Sequence, residues 1–383
     1  MRAFRYRLYP SKMQTKTIDM AIENCRQLYN QMLSLKVEKY KDDKTSLKRN
    51  DLYSLVKGNR LMYSQVSQNV GERVSSVFNH FFKTKGGFPR FKKYGRYRSI
   101  TYPQAKEKWI GNKLRLPMIG DISMKYHRPV EGKPKTMTVK KMPSGKYFAT
   151  ICCETTREKT VDRFLDKKIG IDLGLNHFIA TSDGRFFEHP KPLKKLEEKR
   201  KLLSKRLSRK QGTFNKGKAR VKLARLYERI TYIRQDYSWK LVNYLTRNYG
   251  TVFFEDLRIK NMLKNHSLAK SIADVSWGDF VQKLLFKAES AGTKAIKVNP
   301  RNTSQICSNC GKMNTMALSD RVYKCGCGLF VDRDYNSAMV ILLRGIGSER
   351  SESTPLEMEP LLSKKASAVS ELGSLNFDGK QFT

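Results

Sequence analysis

The chain has no apolar run of about 18 residues, which excludes a membrane-spanning helix of ordinary length. Its opening residues, MRAFRYRLYPSK, do not have the pattern of a signal peptide. Acidic residues are scarce beside basic ones. Asp plus Glu number 35 against 76 Lys plus Arg, and the formal net charge is +41. Such a chain repels itself unless a polyanion neutralises it. With no apolar segment to favour a membrane, nucleic acid is the expected partner, bound with an affinity that falls steeply with salt. Histidine is scarce as well. His80, His127, His177, His189 and His266 lie scattered and compose no HNH-type nuclease signature.

What is present suits a folded chain of two or three domains. Its 383 residues exceed one small core, and 39% hydrophobic residues, with 18 Tyr and 19 Phe, can fill several. Seven cysteines without an export signal point to a reducing cytoplasm. Cys152 and Cys153 lie in the strand-like run YFATICCE and read as buried packing thiols.

The run FRYRLYP alternates apolar and basic residues and reads as a strand. Helices follow at about Lys12–Lys41, with Ile18, Ile22, Cys25, Leu28, Tyr29 and Met32 on one face, and at Ser64–Phe82, with Val66, Val70, Val74 and Phe78. Gln65, Gln68 and Asn69 start the second helix, and their amides are candidates for reading adenine edges. The segment 86–103 interleaves cations with rings. Arg90, Lys92, Arg96 and Arg98 suit phosphates, and Phe91, Tyr94, Tyr97 and Tyr102 suit stacking on bases. Residues 104–156 read as strands and turns, so a β-rich body with helices fills 1–160. Beyond it, 167–187 reads as a hairpin or meander. Residues 191–248 form a basic helical region broken at KQGTFNKGK, with one face along nucleic acid. GTVFFEDL and TKAIKVNP are strands around a helix near 276–291, and DYNSAMVILLRG is a short apolar helix. Residues 347–383 carry six acids and four bases, lack periodicity, and read as a disordered tail.

Three acids stand out. Asp172 interrupts the apolar strand IGIDLG, and Glu255 ends the apolar strand TVFFE, positions that disfavour a carboxylate. Asp334 begins a helix, where a capping role competes; Asp332, just before it, also suits a cap. Two strand-borne acids and one helix-borne acid suit an RNase H-like fold. Carboxylates gathered in this way suit two Mg²⁺ ions, which activate water and stabilise the leaving oxygen in phosphodiester hydrolysis. Asp256 should face away from Glu255.

Cys307 and Cys310 form a CxxC pair, and Cys325 and Cys327 a shorter CxC pair, fourteen residues apart. Four thiolates suit one tetrahedral Zn²⁺ with no open position, hence a structural ion. Gly311, Gly326 and Gly328 beside them suit knuckle turns.

Together KVNPRNTSQICSNCG, YKCGCGLFVDRDYNSA, GIDLGLNHFIATSDG and FFEDL resemble TnpB, the transposon-encoded ancestor of type V CRISPR nucleases. FRYRLYPSKMQ and FPRFKKYGRYRSITYPQ fit too, and the resemblance spans nearly all of residues 1–345. It implies a multidomain α+β architecture. A β-barrel wedge domain (1–10 and 86–160) receives a helical recognition domain (11–85). An RNase H-like RuvC nuclease domain (161–300 and 330–346) receives a zinc-ribbon insert (301–329) that binds target nucleic acid. The D-x-N-x-A pattern at Asp334, Asn336 and Ala338 selects Asp334 over Asp332, giving a triad of Asp172, Glu255 and Asp334. Arg301 and Ser304 join the expected nucleic-acid contacts. The resemblance further implies a guide RNA from the transposon end, double- and single-stranded target DNA, recognition of a short adjacent motif, and one site cutting both strands in turn. A monomeric ribonucleoprotein in a prokaryotic cytoplasm, at the nucleoid, is the expected state. Two rival classes are a nuclease-inactive RNA-guided repressor, which the intact acids oppose, and a transposase or resolvase acting without a guide.

Overall fold

The computed structural model describes residues 1–45, 47–54, 62–84, 87–104, 109–155, 166–257, 259–262, 264, 266–317 and 320–351. The chain divides into two units, residues 1–156 with 211–225, and residues 157–210 with 226–383. The expected boundary at 160 and most of the expected tail lie outside the described residues.

In the first unit β1 (Arg2–Tyr9) precedes α1 (Lys12–Asp43), α2 (Arg49–Ser54) and α3 (Ser64–Thr84). The strands β2 (Ser99–Tyr102), β3 (Trp109–Ile110), β4 (Lys113–Leu116), β5 (Gly120–Lys125), β6 (Lys133–Lys141) and β7 (Tyr147–Glu154) follow. All seven strands join one antiparallel sheet in the order β2-β6-β7-β1-β5-β4-β3. Among the described residues no ladder links the edge strands β2 and β3. Ser11 and Gln14 start α1 with reciprocal side-chain to backbone bonds. The alternation of β1 buries Phe4, Tyr6 and Leu8 in one core with Ile18, Ile22, Cys25 and Met32 of α1 and Val70, Val74 and Phe78 of α3. Cys153 is buried there, whereas Cys152, one step along the pleat, is only half-buried.

The second unit opens with β8 (Lys168–Asp172), β9 (His177–Thr181) and β10 (Phe186–Glu188), the expected meander. Next come α4 (Pro192–Lys195), α5 (Glu197–Arg209) and α6 (Thr213–Asn248), whose residues 213–225 group with the first unit. The helical break is shorter than KQGTFNKGK, because the helix resumes at Thr213 directly after Gly212, which takes a positive φ of 74°. Then come β11 (Thr251–Glu255), α7 (Ile259–Met262), α8 (His266–Val275), α9 (Trp277–Ala291), β12 (Lys294–Val298), β13 (Val322–Lys324), β14 (Phe330–Asp332) and α10 (Arg333–Ser351). The expected tail began at 347, but α10 runs on to Ser351. Once a helix is nucleated, each further residue costs little.

The five-stranded sheet has the order β10-β9-β8-β11-β12. β8 is antiparallel to β9 and parallel to β11, which is parallel to β12. A central parallel strand is covered on both faces, and every residue of TVFFE is buried. Two glycines admit α10 to the sheet. A Cβ on Gly170 of β8 would stand 2.3 Å from the Ala338 carbonyl oxygen, and one on Gly345 would stand 2.1 Å from the Phe253 ring.

Candidate active site

Asp172 ends β8 and Glu255 ends the parallel neighbour β11, so both acids leave the sheet at the same edge. Asp334 lies in the first turn of α10, which the close approach at Gly170 holds over β8. A Cβ on Gly174, in the loop after β8, would stand 3.7 Å from Asp334 Oδ2. The three acids from points far apart in the chain therefore lie in one region of the second unit, near enough for their charges to interact, although their carboxylate oxygens do not all come within 4.8 Å of one another.

Their electrostatics reflect that proximity. Part of the Asp172 side chain remains accessible, but dense protein surrounds it. This desolvation, then the charges of Glu255 and Asp334, push its carboxyl well above the usual range. Burial also raises Glu255, against the Thr303 hydroxyl and the Arg344 charge, which favour its ionised form. Asp334 is raised by burial and by Asp332, with His177, Arg321 and Arg333 opposing. Hard oxygen donors that repel one another in this way suit a hard dication.

Asp332 caps the helix. Its Oδ1 accepts the N–H of Asp334 at 2.8 Å and of Tyr335 at 3.2 Å. That leaves the Asp334 carboxylate for other work. Asp256 is exposed and pairs on the surface with Lys297 at 2.8 Å, whereas Glu255 is buried.

Two residues at this site, Thr303 and Arg321, lack any obvious mark in the sequence, and a third, Asn336, is marked only through the D-x-N-x-A pattern. Thr303 is buried and its hydroxyl donates to Glu255 Oε1. Arg321, between the two cysteine pairs, lies against the Asn176 side-chain amide, and its charge bears on Asp334. Asn336 is fully buried. Its Nδ2 donates to the Ile306 carbonyl at 2.7 Å and its Oδ1 accepts from the Ser308 N–H at 3.0 Å.

The four cysteines do converge. Among the described residues they form the one group of three or more acidic, His or Cys ligands whose atoms all lie within 4.8 Å. Cys307 and Cys327 sulfurs are 3.6 Å apart, as are those of Cys310 and Cys325. A tetrahedral ion with bonds near 2.3 Å separates its sulfurs by roughly 3.8 Å, so the set fits Zn²⁺. The short CxC pair is accommodated by a tighter turn. Gly328 N–H reaches the Cys325 carbonyl at i+3, whereas Gly311 N–H reaches Cys307 at i+4, both glycines at positive φ. Burial pushes the Cys307 thiol up to about 12, whereas backbone and Asn314 donors pull Cys325 down to about 6.

The residues expected to touch nucleic acid divide. Phe91 and Tyr94 are 55% and 84% exposed, beside exposed Arg90 and Arg96, on a loop that Asn30 and Arg26 pin at the Lys92 backbone. Lys92 and Arg98 are half-buried, and Arg98 Nε bonds the Gly95 carbonyl at 2.6 Å. Tyr97 and Tyr102 are buried in the first unit's core, and Arg73 bonds the Tyr97 hydroxyl at 3.0 Å. Their rings are already packed by protein, which removes them from the stacking set. Gln65 bonds Gln104 at 2.8 Å, and Asn69 bonds Glu72 and Arg73 on its own helix; Gln68 is exposed. Arg301 is exposed, and Ser304 is half-buried with its hydroxyl 3.4 Å from Arg333.

Residues 150–266 match a family model described as a probable transposase, and 277–341 match the TNB domain of Cas12f1-like proteins. A helix-turn-helix model matches 1–45, where the structure has one strand and one helix. A putative RNA-guided DNA endonuclease of Streptomyces pristinaespiralis is 30% identical over 363 residues, 91% of this chain and 90% of its own. A second, InsQ of Escherichia coli K12, is 27% identical over 393 residues, 94% and 97%. A Cas12f1 chain, solved by cryo-EM with sgRNA and target DNA, shares the fold with a TM-score of 0.56 and 17% identity, over 86% of this chain and 82% of that one.

Proposed function

The chain belongs to the TnpB family of RNA-guided DNA endonucleases, and from that premise we propose that it cleaves target DNA at a single site made by Asp172, Glu255 and Asp334. The observation that carries the reading is the nearness of these acids at one sheet edge, close enough that Glu255 and Asp334 oppose ionisation of Asp172. Strand order β10-β9-β8-β11-β12, with three antiparallel strands leading into parallel ones, supports an RNase H-like nuclease core. The seven-stranded sheet with α1 to α3 supports the wedge and recognition parts, and the cysteine insert supports a zinc ribbon that loads target strand.

In this mechanism Asp172, Glu255 and Asp334 would hold two Mg²⁺ ions, which would supply water activation and stabilisation of the leaving oxygen. The side chains do the rest. Thr303 orients Glu255, Asp332 fixes the first turn under Asp334, and Arg321 places a guanidinium near the site, suited to a phosphate oxygen. A guide RNA derived from the transposon end pairs with the target strand, while Arg90, Phe91, Tyr94 and Arg96 contact backbone and bases. The working form is a monomeric ribonucleoprotein in the cytoplasm; no described helix is long and apolar enough to cross a membrane.

The test uses protein purified with its co-expressed RNA, a matching target duplex and Mg²⁺. Wild type cuts and Asp172→Ala does not. Equal cutting by both sinks the assignment. Tight guided binding without cutting by wild type supports a repressor, and cutting after nuclease removal of RNA supports a guide-free recombinase.

A further inference from the structure

The segment between β12 and the first cysteine is held at two points by the elements that carry the acids. At one end Thr303 donates to Glu255 at the tip of β11. That hydroxyl has one proton, and its other acceptor, the Pro300 carbonyl, is farther off at 3.3 Å. At the other end both halves of the Asn336 amide bind backbone, the Ile306 carbonyl and the Ser308 N–H, on either side of Cys307. Asn336 lies two residues past Asp334 on α10 and is fully buried. Pulling the loop off the helix would strand a buried amide and two backbone groups, so loop and helix move together. We infer that residues 303–308 are a strap that registers Glu255 against Asp334, with Thr303 and Asn336 as its positioning residues. Cys307 lies within the strap, which links occupancy of the cysteine site to metal affinity at the acids. Such linkage suits the chemistry, because carboxylates from a strand and a helix bind a shared ion only if their spacing is fixed.

The inference rests on reading the three acids as a metal site, and the experiment separates the two. Mn²⁺ is titrated into the full chain with its RNA and bound ion is followed by electron paramagnetic resonance, alongside cleavage kinetics. Thr303→Val keeps the shape and loses the donor; it weakens Mn²⁺ binding about 10- to 100-fold and lowers kcat, leaving KM for target duplex unchanged. Thr303→Ser restores wild-type affinity, which a purely packing role for the threonine would not predict. Removing zinc with a chelator weakens Mn²⁺ binding in the wild type, and Asn336→Ala weakens it with zinc still bound. Wild-type Mn²⁺ affinity in Thr303→Val, with Asp172→Asn abolishing it, overturns the strap alone. Wild-type Mn²⁺ affinity in Asp172→Asn overturns the metal-site reading and the strap with it.

Discussion

Asp172 is the residue on which stability and the proposed activity conflict. Its carboxyl titrates well above the ordinary 3.8 in the folded chain, because burial and two acidic neighbours oppose its charge. Below the unfolded value both states are protonated and there is no penalty. As pH rises from there through the raised folded value, the unfolded chain releases its proton first, and the fold loses stability. In metal-free buffer at about pH 8, Asp172→Asn therefore melts higher than wild type, and the gain disappears near about pH 3. Differential scanning calorimetry checks this. Mg²⁺ should then raise the wild-type midpoint and leave the variant's unchanged. Asp172 and Glu255 were legible because a carboxylate in an apolar strand contradicts its surroundings. Thr303 and Arg321 were not, since threonine and arginine are ordinary in loops and helices; Asn336 was visible as part of the D-x-N-x-A pattern, which does not say what its amide holds. Nothing in linear spacing says that a threonine 48 residues downstream reaches Glu255.

Among the elements, α10 does the most to build the site, and its seating on the sheet depends on an absent side chain. A methyl at Gly170 would meet backbone at 2.3 Å and 2.6 Å, and backbone cannot step aside like a flexible side chain. Gly170→Ala is expected to cost at least about 1–3 kcal/mol in denaturant titration and to lower cleavage by shifting Asp334. The cysteine insert makes a second prediction. Replacing Cys307 and Cys310 together by Ser removes zinc, read by metal analysis, and impairs duplex cleavage. Unchanged cutting of a pre-opened single strand by that variant would deny the insert a role at the site. Strands and helices were readable from alternation and from steps of three and four. The aromatic loop was not fully so. Interleaved rings and cations look alike whichever way they point, and only pairing of β2 with β6 shows that Ile100 and Tyr102 face the core.

For the whole molecule the excess of 76 basic over 35 acidic residues dominates. Each phosphate neutralised releases a counterion, so the logarithm of duplex affinity should fall with the logarithm of salt by about 0.9 for every phosphate contacted. Filter binding across a salt series measures it, and a flat response would contradict the electrostatic account. Charge alone specifies a polyanion and no chemistry. In the proposed function the chemistry comes from three acids at one sheet edge, and two aspartates two residues apart offer the sharpest check on which acids those are. Asparagine caps a helix about as well as aspartate, so Asp332→Asn keeps its bonds to Asp334 and Tyr335. The measurement is Mg²⁺-dependent cleavage of a matched target duplex by the RNA-loaded protein, in Asp332→Asn and Asp334→Asn side by side. The account predicts near wild-type cutting by the first and none by the second; cutting by Asp334→Asn, or loss confined to Asp332→Asn, would contradict it.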